Sequence, residues 1–475
     1  MTTALALVTT LASFESTVVS TAMPTIIGDL HGLPLYSWVF SLYLLSATVM
    51  MPLFGSLADL HGRRRVLLVA LALFLSGALL CAAARSMPQL IAARALQGLG
   101  AAGLVPIALT VVADLYSLRE RARIQALFSS IWAAAALIGP LAGAWLTVSF
   151  GWRSIFSINL PLGALALTLV VTQMRESRAK SAVAFDYSGA ALLGVSVSAL
   201  LFATLHRGGD ADLSAAARGL LIGVALAAFA SLVRQQARAA HPLLPPSLFT
   251  RAETAAPYVA GVLLGTTIFG VDTFVPLFVQ GARGGTATAA GAVVTPVVLM
   301  WAVSAGVSAR GIVSFGFRGI ARAGAVMVLA GLALLLAAVL RGWGVVTISV
   351  VCGLIGAGLG PSSLSQILAV QHAAAEPDRG VATSLVPFMR AMGGSLGVGA
   401  LGGILSAGLT RRLGPAAAEA GQLLARHAAP GDASTQVLQG ALTASLLPIF
   451  VVLLALATLN LVVTAFFPGR AQPTG

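Results

Sequence analysis

The chain has 475 residues, of which 58% are hydrophobic and only 9% charged. A soluble protein of that length needs roughly a quarter of its residues charged to cover its surface, so the composition excludes a water-soluble globular protein and makes lipid the solvent of most of the surface. The net charge of +13 is spread over short segments between apolar runs rather than gathered on one face, which excludes nucleic acid as a partner.

The spans follow in chain order from the rule that a membrane-crossing helix needs about 20 apolar residues. The first apolar run begins almost at Met1 and reaches Gly28. No basic stretch or small-residue cleavage site interrupts it, so it is read as a retained first span rather than a removed leader. Further spans are predicted at about 37–58, 66–84, 89–114, 124–148 and 155–173. Two weaker ones, rich in small residues, fall at about 187–205 and 217–233, and six more at about 255–280, 287–309, 321–340, 344–369, 381–409 and 441–466. The fold class is therefore an all-α polytopic membrane protein with fourteen spans. The polar stretch at about 410–440 is expected to form a partial helix outside the membrane. Cys81 and Cys352 both lie inside apolar runs and the histidines are scattered, which predicts neither disulfides, nor a metal site, nor a cofactor.

Basic residues orient such a bundle, because cytoplasmic loops carry the excess of Lys and Arg. With the N-terminus inside, the inner segments collect Arg63, Arg64, Arg65, Arg119, Arg121, Arg123, Arg175, Arg178, Lys180 and others, while the outer segments hold fewer, among them Arg85, Arg153 and Arg283. That bias predicts both termini on the cytoplasmic side and an even number of spans.

Charges at membrane depth cost several kcal/mol, so each needs a partner or a water-filled cavity. Glu15, Arg94, Asp272 and Arg390 are the clear cases, one acid and one base in each half of the chain. Burial disfavours the charged form of a carboxylate and a neighbouring guanidinium favours it. An acid such as Glu15, whose arginine approaches and retreats, can therefore load and release a proton. The same residues also admit a plainer reading as static ion pairs that fix helix packing.

Six stretches carry a family resemblance. Gly55-Ser-Leu-Ala-Asp59-Leu-His-Gly62-Arg63-Arg64-Arg65 resembles the signature loop of the major facilitator superfamily, with Leu60 where a basic residue is usual. Gly55 permits close helix contact, Gly62 a tight turn, and the Asp59 carboxylate suits a helix N-terminus or an arginine. Arg94-Ala-Leu-Gln97-Gly98-Leu-Gly100-Ala101 is similar to the fourth-helix motif of that superfamily, its Arg94, Gln97, Gly98 and Ala101 sharing one helix face. Gly139-Pro140-Leu-Ala-Gly143, with alanines at 135 and 144 where the motif has glycine, resembles the fifth-helix antiporter motif. Glu15-Ser-Thr17 through Ala22 and Pro24, Gly151-Trp152-Arg153 through Asn159 and Gly163, and Pro276 through Gln280 look like the fourteen-span drug:proton antiporters.

The resemblance covers nearly the whole chain. It implies two six-helix bundles, 1–180 and 251–475, joined by two linker helices within 181–250, with a binding site near the bilayer midplane. It implies proton-coupled export, by alternating access, of drug-like, lipophilic or cationic small molecules across a bacterial cytoplasmic membrane. Glu15, Arg94, Asp272 and Arg390 would couple the proton. Gly55, Asp59, Gly62, Arg63 and Arg64 would latch one conformation, and Gly139, Pro140 and Gly143 would mark export. Aromatic side chains suit broad apolar recognition, so Phe14, Tyr43, Phe128, Trp132 and Phe269, with the amide of Gln97, are the candidate substrate cavity. The expected partners are the substrate, protons and the bilayer, the expected state is a monomer, and the energy source is the proton gradient rather than a cofactor. Rival readings are a dedicated exporter of a lipid or secondary metabolite and a receptor or scaffold that no longer transports. An enzyme is the least expected, since no nucleophile–base pair, metal cluster or phosphate loop is present.

Overall fold

The computed structural model describes residues 1–30, 36–174, 186–205, 214–239, 242–285, 287–414 and 433–469. Among these residues every regular element is helical. In lipid a backbone must satisfy its own polar groups, and a helix does so within one segment.

The helices are α1 Thr2–Leu30, α2 Tyr36–His61, α3 Arg63–Ala83, α4 Met87–Leu115, α5 Leu118–Phe150, α6 Asn159–Gln173, α7 Tyr187–Leu205 and α8 Ala215–Gln236. They continue with α9 Ala252–Leu277, α10 Ala287–Arg341, α11 Val345–Ala373, α12 Arg379–Leu413 and α13 Ala433–Val463. A π-helical turn, Phe278–Ala282, extends α9.

Among the described residues, 12 helical segments are long and apolar enough to cross a membrane. The expected fourteen are not reached, for two reasons. The apolar part of α7, Tyr187–Ala203, falls short of a full crossing, and the predicted spans 287–309 and 321–340 run together as Ala289–Arg341. Inside that run the helix breaks at Gly316, with φ 71° and ψ 174°. A break of that kind needs a residue tolerant of positive φ, and its polar flanks read in the sequence as a loop. The partial helix expected at 410–440 falls mostly on 415–432, outside the described residues.

Two compact units divide the chain. One comprises Met1–Ala255 with Ile367–Phe388, the other Ala256–Gln366 with Met389–Gly475. In the first, α3 and α4 approach so closely that a Cβ on Gly100 would meet the backbone nitrogen of Phe74, and one on Gly98 would meet Tyr43 O on α2. Small residues at these positions let backbones touch, which is how helices gain packing energy in lipid. The apolar core here includes Val18, Met23, Ile26, Val39, Leu90, Trp152 and Phe156. Helix α7 lies against α2, with the Trp38 and Phe202 rings 5.1 Å apart. Helix α8 leaves Leu220, Leu226 and Phe229 exposed, a surface suited to hydrocarbon.

Asp186 ties α7 to α8. Its carboxylate accepts from the Gly189 amide at 2.8 Å, Ser188 Oγ at 2.8 Å, Gln235 Nε2 at 2.9 Å and Gln236 Nε2 at 2.6 Å. Partial burial works against the charged form, yet the Gly189 amide, Gln236, Gln235 and Ser188 together outweigh it and bring the group from 3.8 down to about 2. In the second unit the core gathers Leu264, Val275, Phe278, Val297, Leu332, Ile355 and Phe450, and Arg318 Nε holds the C-terminal segment through Phe467 O at 2.9 Å.

Candidate functional site

Glu15 sits half-way along α1 and Arg94 in the second turn of α4, with relative exposures of 1% and 2%. The Arg94 guanidinium forms an ion pair with Glu15 through Nη1 and Oε1. The same Nη1 donates to Gln97 Oε1 at 2.8 Å, and Nε donates to the Val39 carbonyl of α2 at 3.4 Å. Arg94 Cζ lies 4.0 Å from the Tyr43 ring centroid and 5.9 Å from that of Phe156, so aromatic faces cover the cation where no oxygen does. The other carboxylate oxygen, Glu15 Oε2, accepts from Asn159 Nδ2 at 2.6 Å.

The cluster therefore joins α1, α2, α4 and α6. A buried ion pair repays its desolvation only when the remaining donors and acceptors are also occupied. Two buried atoms beside it, Gln97 Nε2 and Asn159 Oδ1, have no hydrogen-bond partner among the described residues. Unpaired polar atoms cost free energy in so dry a place.

The loop between α2 and α3 forms a second polar cluster in the same unit. Gly62 takes φ 96°, the left-handed turn for which a glycine was expected. Asp59 accepts the amides of Gly380 at 2.9 Å and Val381 at 2.8 Å, at the N-terminus of α12, where exposed N–H groups favour an anion. It also forms an ion pair with Arg63. Arg63 Nε reaches Asp114 Oδ2 at 3.2 Å, and Asp114 Oδ1 accepts from Arg379 Nη1 at 2.9 Å. A Cβ on Gly55 would meet Ser384 and the Gly380 carbonyl. Arg64, the other predicted latch residue, instead donates to Val171 O at 2.8 Å on α6.

On α5, Gly139 lies where a Cβ would strike Thr17 Oγ1, and Thr17 Oγ1 donates to Ala135 O at 3.2 Å. The α1 and α5 motifs thus meet directly. Gly143 is buried on the same helix, and Pro140 lies within it.

In the second unit, Arg390 Nη2 donates to Gln366 Oε1 at 3.0 Å, and its Cζ is 5.9 Å from the Trp301 ring centroid. Asp272, on α9, is surface-accessible and makes no ion pair with Arg390. The two charges predicted for this half are therefore not brought together.

The comparisons with known proteins agree on one family. The model of the Major Facilitator Superfamily matches residues 5–398. The chain belongs to the major facilitator superfamily. Multidrug transporter protein MdtP of Bacillus subtilis (strain 168) is 32% identical over 396 residues, 83% of this chain and 73% of that protein. Multidrug resistance protein 3 of the same organism is 31% identical over 408 residues, 86% of this chain and 79% of that one. The crystal structure of a bacterial homologue of the iron transporter ferroportin, in its outward-facing state, superposes with a TM-score of 0.65 at 14% identity and covers 98% of both chains. At that identity the likeness is one of fold.

Within this superfamily member the aromatic candidates divide. Tyr43 and Phe128 are buried, at 8% and 3% exposure, and Tyr43 serves the Arg94 cluster. Phe14 is half-buried against the core of the first unit. Trp132 and Phe269 present much of their surface, at 40% and 45%. Gln97 is fully buried and holds Arg94.

Three contributors carried no assigned role in the sequence. Asn159 belonged to a family-like stretch, but only the fold brings it to Glu15. Asp114 and Arg379 read as ordinary residues at span ends, since the partners that join them lie 51 and 265 positions away.

Proposed function

We propose that this transporter exports drug-like, lipophilic or cationic small molecules across a bacterial cytoplasmic membrane in exchange for protons, and that Glu15 carries the proton. The observation that carries this reading is the buried Glu15–Arg94 pair, with Asn159 on the second carboxylate oxygen. A carboxylate held this way is stable only while the guanidinium stays. Protonation removes the reason for the pair, and the freed cation then needs new partners, so proton loading is tied to movement of α4 against α1. The family assignment and the names of the two Bacillus relatives support multidrug export.

We read the architecture as two six-helix bundles, 1–180 and 251–475, flanking a linker pair within 181–250, with both termini cytoplasmic and a monomeric working unit. Supporting fourteen spans over twelve are the break at Gly316, which divides Ala289–Arg341 into two helices of spanning length, and the apolar helix Tyr187–Ala203. Asp59 with Arg63, Asp114 and Arg379 would latch one conformation. Asp272 would be a second acid on the transport path.

Purified protein in proteoliposomes tests the exchange. An imposed pH gradient should drive ethidium against the direction of proton flow, and a protonophore should stop it. Dye movement indifferent to the gradient would overturn the proposal.

A further inference from the structure

The two arginines at membrane depth differ by one carboxylate. Arg94 is neutralised by Glu15. Arg390 sits eleven residues beyond the start of α12 at Arg379, about 16 Å along the helix axis and so near the middle of a hydrocarbon core about 30 Å thick. Among the described residues no carboxylate lies within ion-pair distance of it. Its Nη2 binds only the neutral amide of Gln366, its Nε is buried without a partner, and the Trp301 ring lies beside the guanidinium.

The surroundings are built rather than accidental. Gln366 is 1% exposed, and Ser363, one helical turn earlier on the same face of α11, has a buried hydroxyl with no partner among the described residues. The backbone of Arg390 is locked in place, because a Cβ on Gly265 would collide with its carbonyl, and Thr266 Oγ1 donates to Gly393 O at 2.8 Å. One turn further along α12, Gly394 accommodates the ring of Phe269, which is 45% exposed. Arg390 itself is only partly buried, so a ligand can reach it. An uncompensated cation at this depth is costly. Here the packing of α9 fixes its backbone, Nε has no partner among the described residues, Trp301 lies beside the guanidinium, and Phe269 packs one turn further along α12.

We infer that Arg390, with Gln366, Trp301 and Phe269, forms a binding site for the anionic group of an aromatic or amphipathic acid. The ligand supplies the carboxylate, sulfonate or phosphate that Arg390 does not find among the described residues. The guanidinium fork and the Gln366 amide orient that group, and the rings take the apolar body. The inference rests on the reading of the chain as an exporter of amphipathic molecules and extends its range to acids.

Equilibrium binding to the purified full chain in a neutral detergent tests the site without any proton gradient, so its failure leaves the proton-exchange proposal standing. Fluorescein and rhodamine 6G share a xanthene ring system and carry opposite charge, and fluorescence anisotropy follows both. Fluorescein should bind saturably and at least about tenfold more tightly than rhodamine 6G, as a charge-assisted hydrogen bond allows. Gln366→Glu places an internal carboxylate on the guanidinium and should weaken fluorescein by about tenfold or more while strengthening rhodamine 6G. Arg390→Gln should weaken fluorescein likewise, and Arg390→Lys should recover part of the loss. Displacement by 2-naphthoate assigns the site to soluble acids, and displacement by phosphatidylglycerol but not phosphatidylcholine assigns it to a lipid headgroup. Fluorescein binding no tighter than that of rhodamine 6G, or unchanged in monodisperse Gln366→Glu protein, would overturn the inference.

Discussion

Proteoliposomes carrying Glu15→Gln should show no dye export driven by a pH gradient, while dye-for-dye exchange continues. The amide keeps the shape of the side chain and its one oxygen can still accept from Arg94, but its NH2 faces Asn159 Nδ2, from which it cannot accept, and it cannot take up a proton. Exchange of one dye molecule for another needs no proton, so it separates a broken coupling from a broken protein. The substitution carries a stability cost as well. Removing the charge from one member of a buried pair leaves Arg94 uncompensated, an effect of about 3–5 kcal/mol, which a lower unfolding temperature of the purified protein should register. The double variant Glu15→Gln with Arg94→Gln removes both charges and should regain much of that stability without regaining coupling.

The second large effect is expected at Asp59. Its carboxylate takes two amides from the first turn of α12 and the guanidinium of Arg63, and Arg63 in turn shares Asp114 with Arg379. Asp59→Asn removes the charge on which three contacts depend. Charge-assisted hydrogen bonds contribute about 1.5–3 kcal/mol each, so losing even one of them shifts a two-state equilibrium roughly tenfold or more. Ser384 lies against Gly55 in this packed region and is fully buried. With Cys81 and Cys352 replaced by alanine, a cysteine introduced at Ser384 should resist a membrane-impermeant maleimide in the parent. It should be labelled at least about tenfold faster when Asp59→Asn is added. Equal labelling rates would show that Asp59 does not hold this region closed.

Both predictions rest on contacts that the sequence revealed unequally. Glu15 and Arg94 stood out because an ion in an apolar run is expensive wherever the helix points, and their pairing follows once α1 and α4 are neighbours. Asn159 did not stand out, since an amide near a span end has many unremarkable uses and its approach to Glu15 depends on how α6 lies against α1. The same limit hid Asp114. An acid two residues before a tyrosine at the end of α4 looks like interface decoration until Arg63 and Arg379 are seen on either side of it. Whether Asp272 and Arg390 pair was open in the sequence, because two opposite charges in one half of a membrane protein are compatible with a pair and with separate roles. The close packing of α9 on α12 at Gly265 and Gly393 instead fixes Arg390 toward Gln366 and Trp301.

The helices themselves were legible from hydropathy, because lipid enforces one secondary structure on any spanning segment. Where a segment ends was less so. A basic, glycine-containing stretch such as Arg310–Arg318 reads as a loop, yet the helix continues through it with one break at Gly316. Helix α7 shows the converse. It is apolar over Tyr187–Ala203 but too short to count as a crossing by length alone, and its end is fastened by Asp186, whose role depends on glutamines about fifty residues later.

Proton release on substrate binding is the most direct measurement. Purified protein in weakly buffered detergent, mixed with ethidium in the presence of a pH-indicating dye, should acidify the solution as the substrate displaces the proton from Glu15. Glu15→Gln protein that still binds ethidium should release none. Equal proton release by the two proteins would contradict the assignment of Glu15 as the proton carrier.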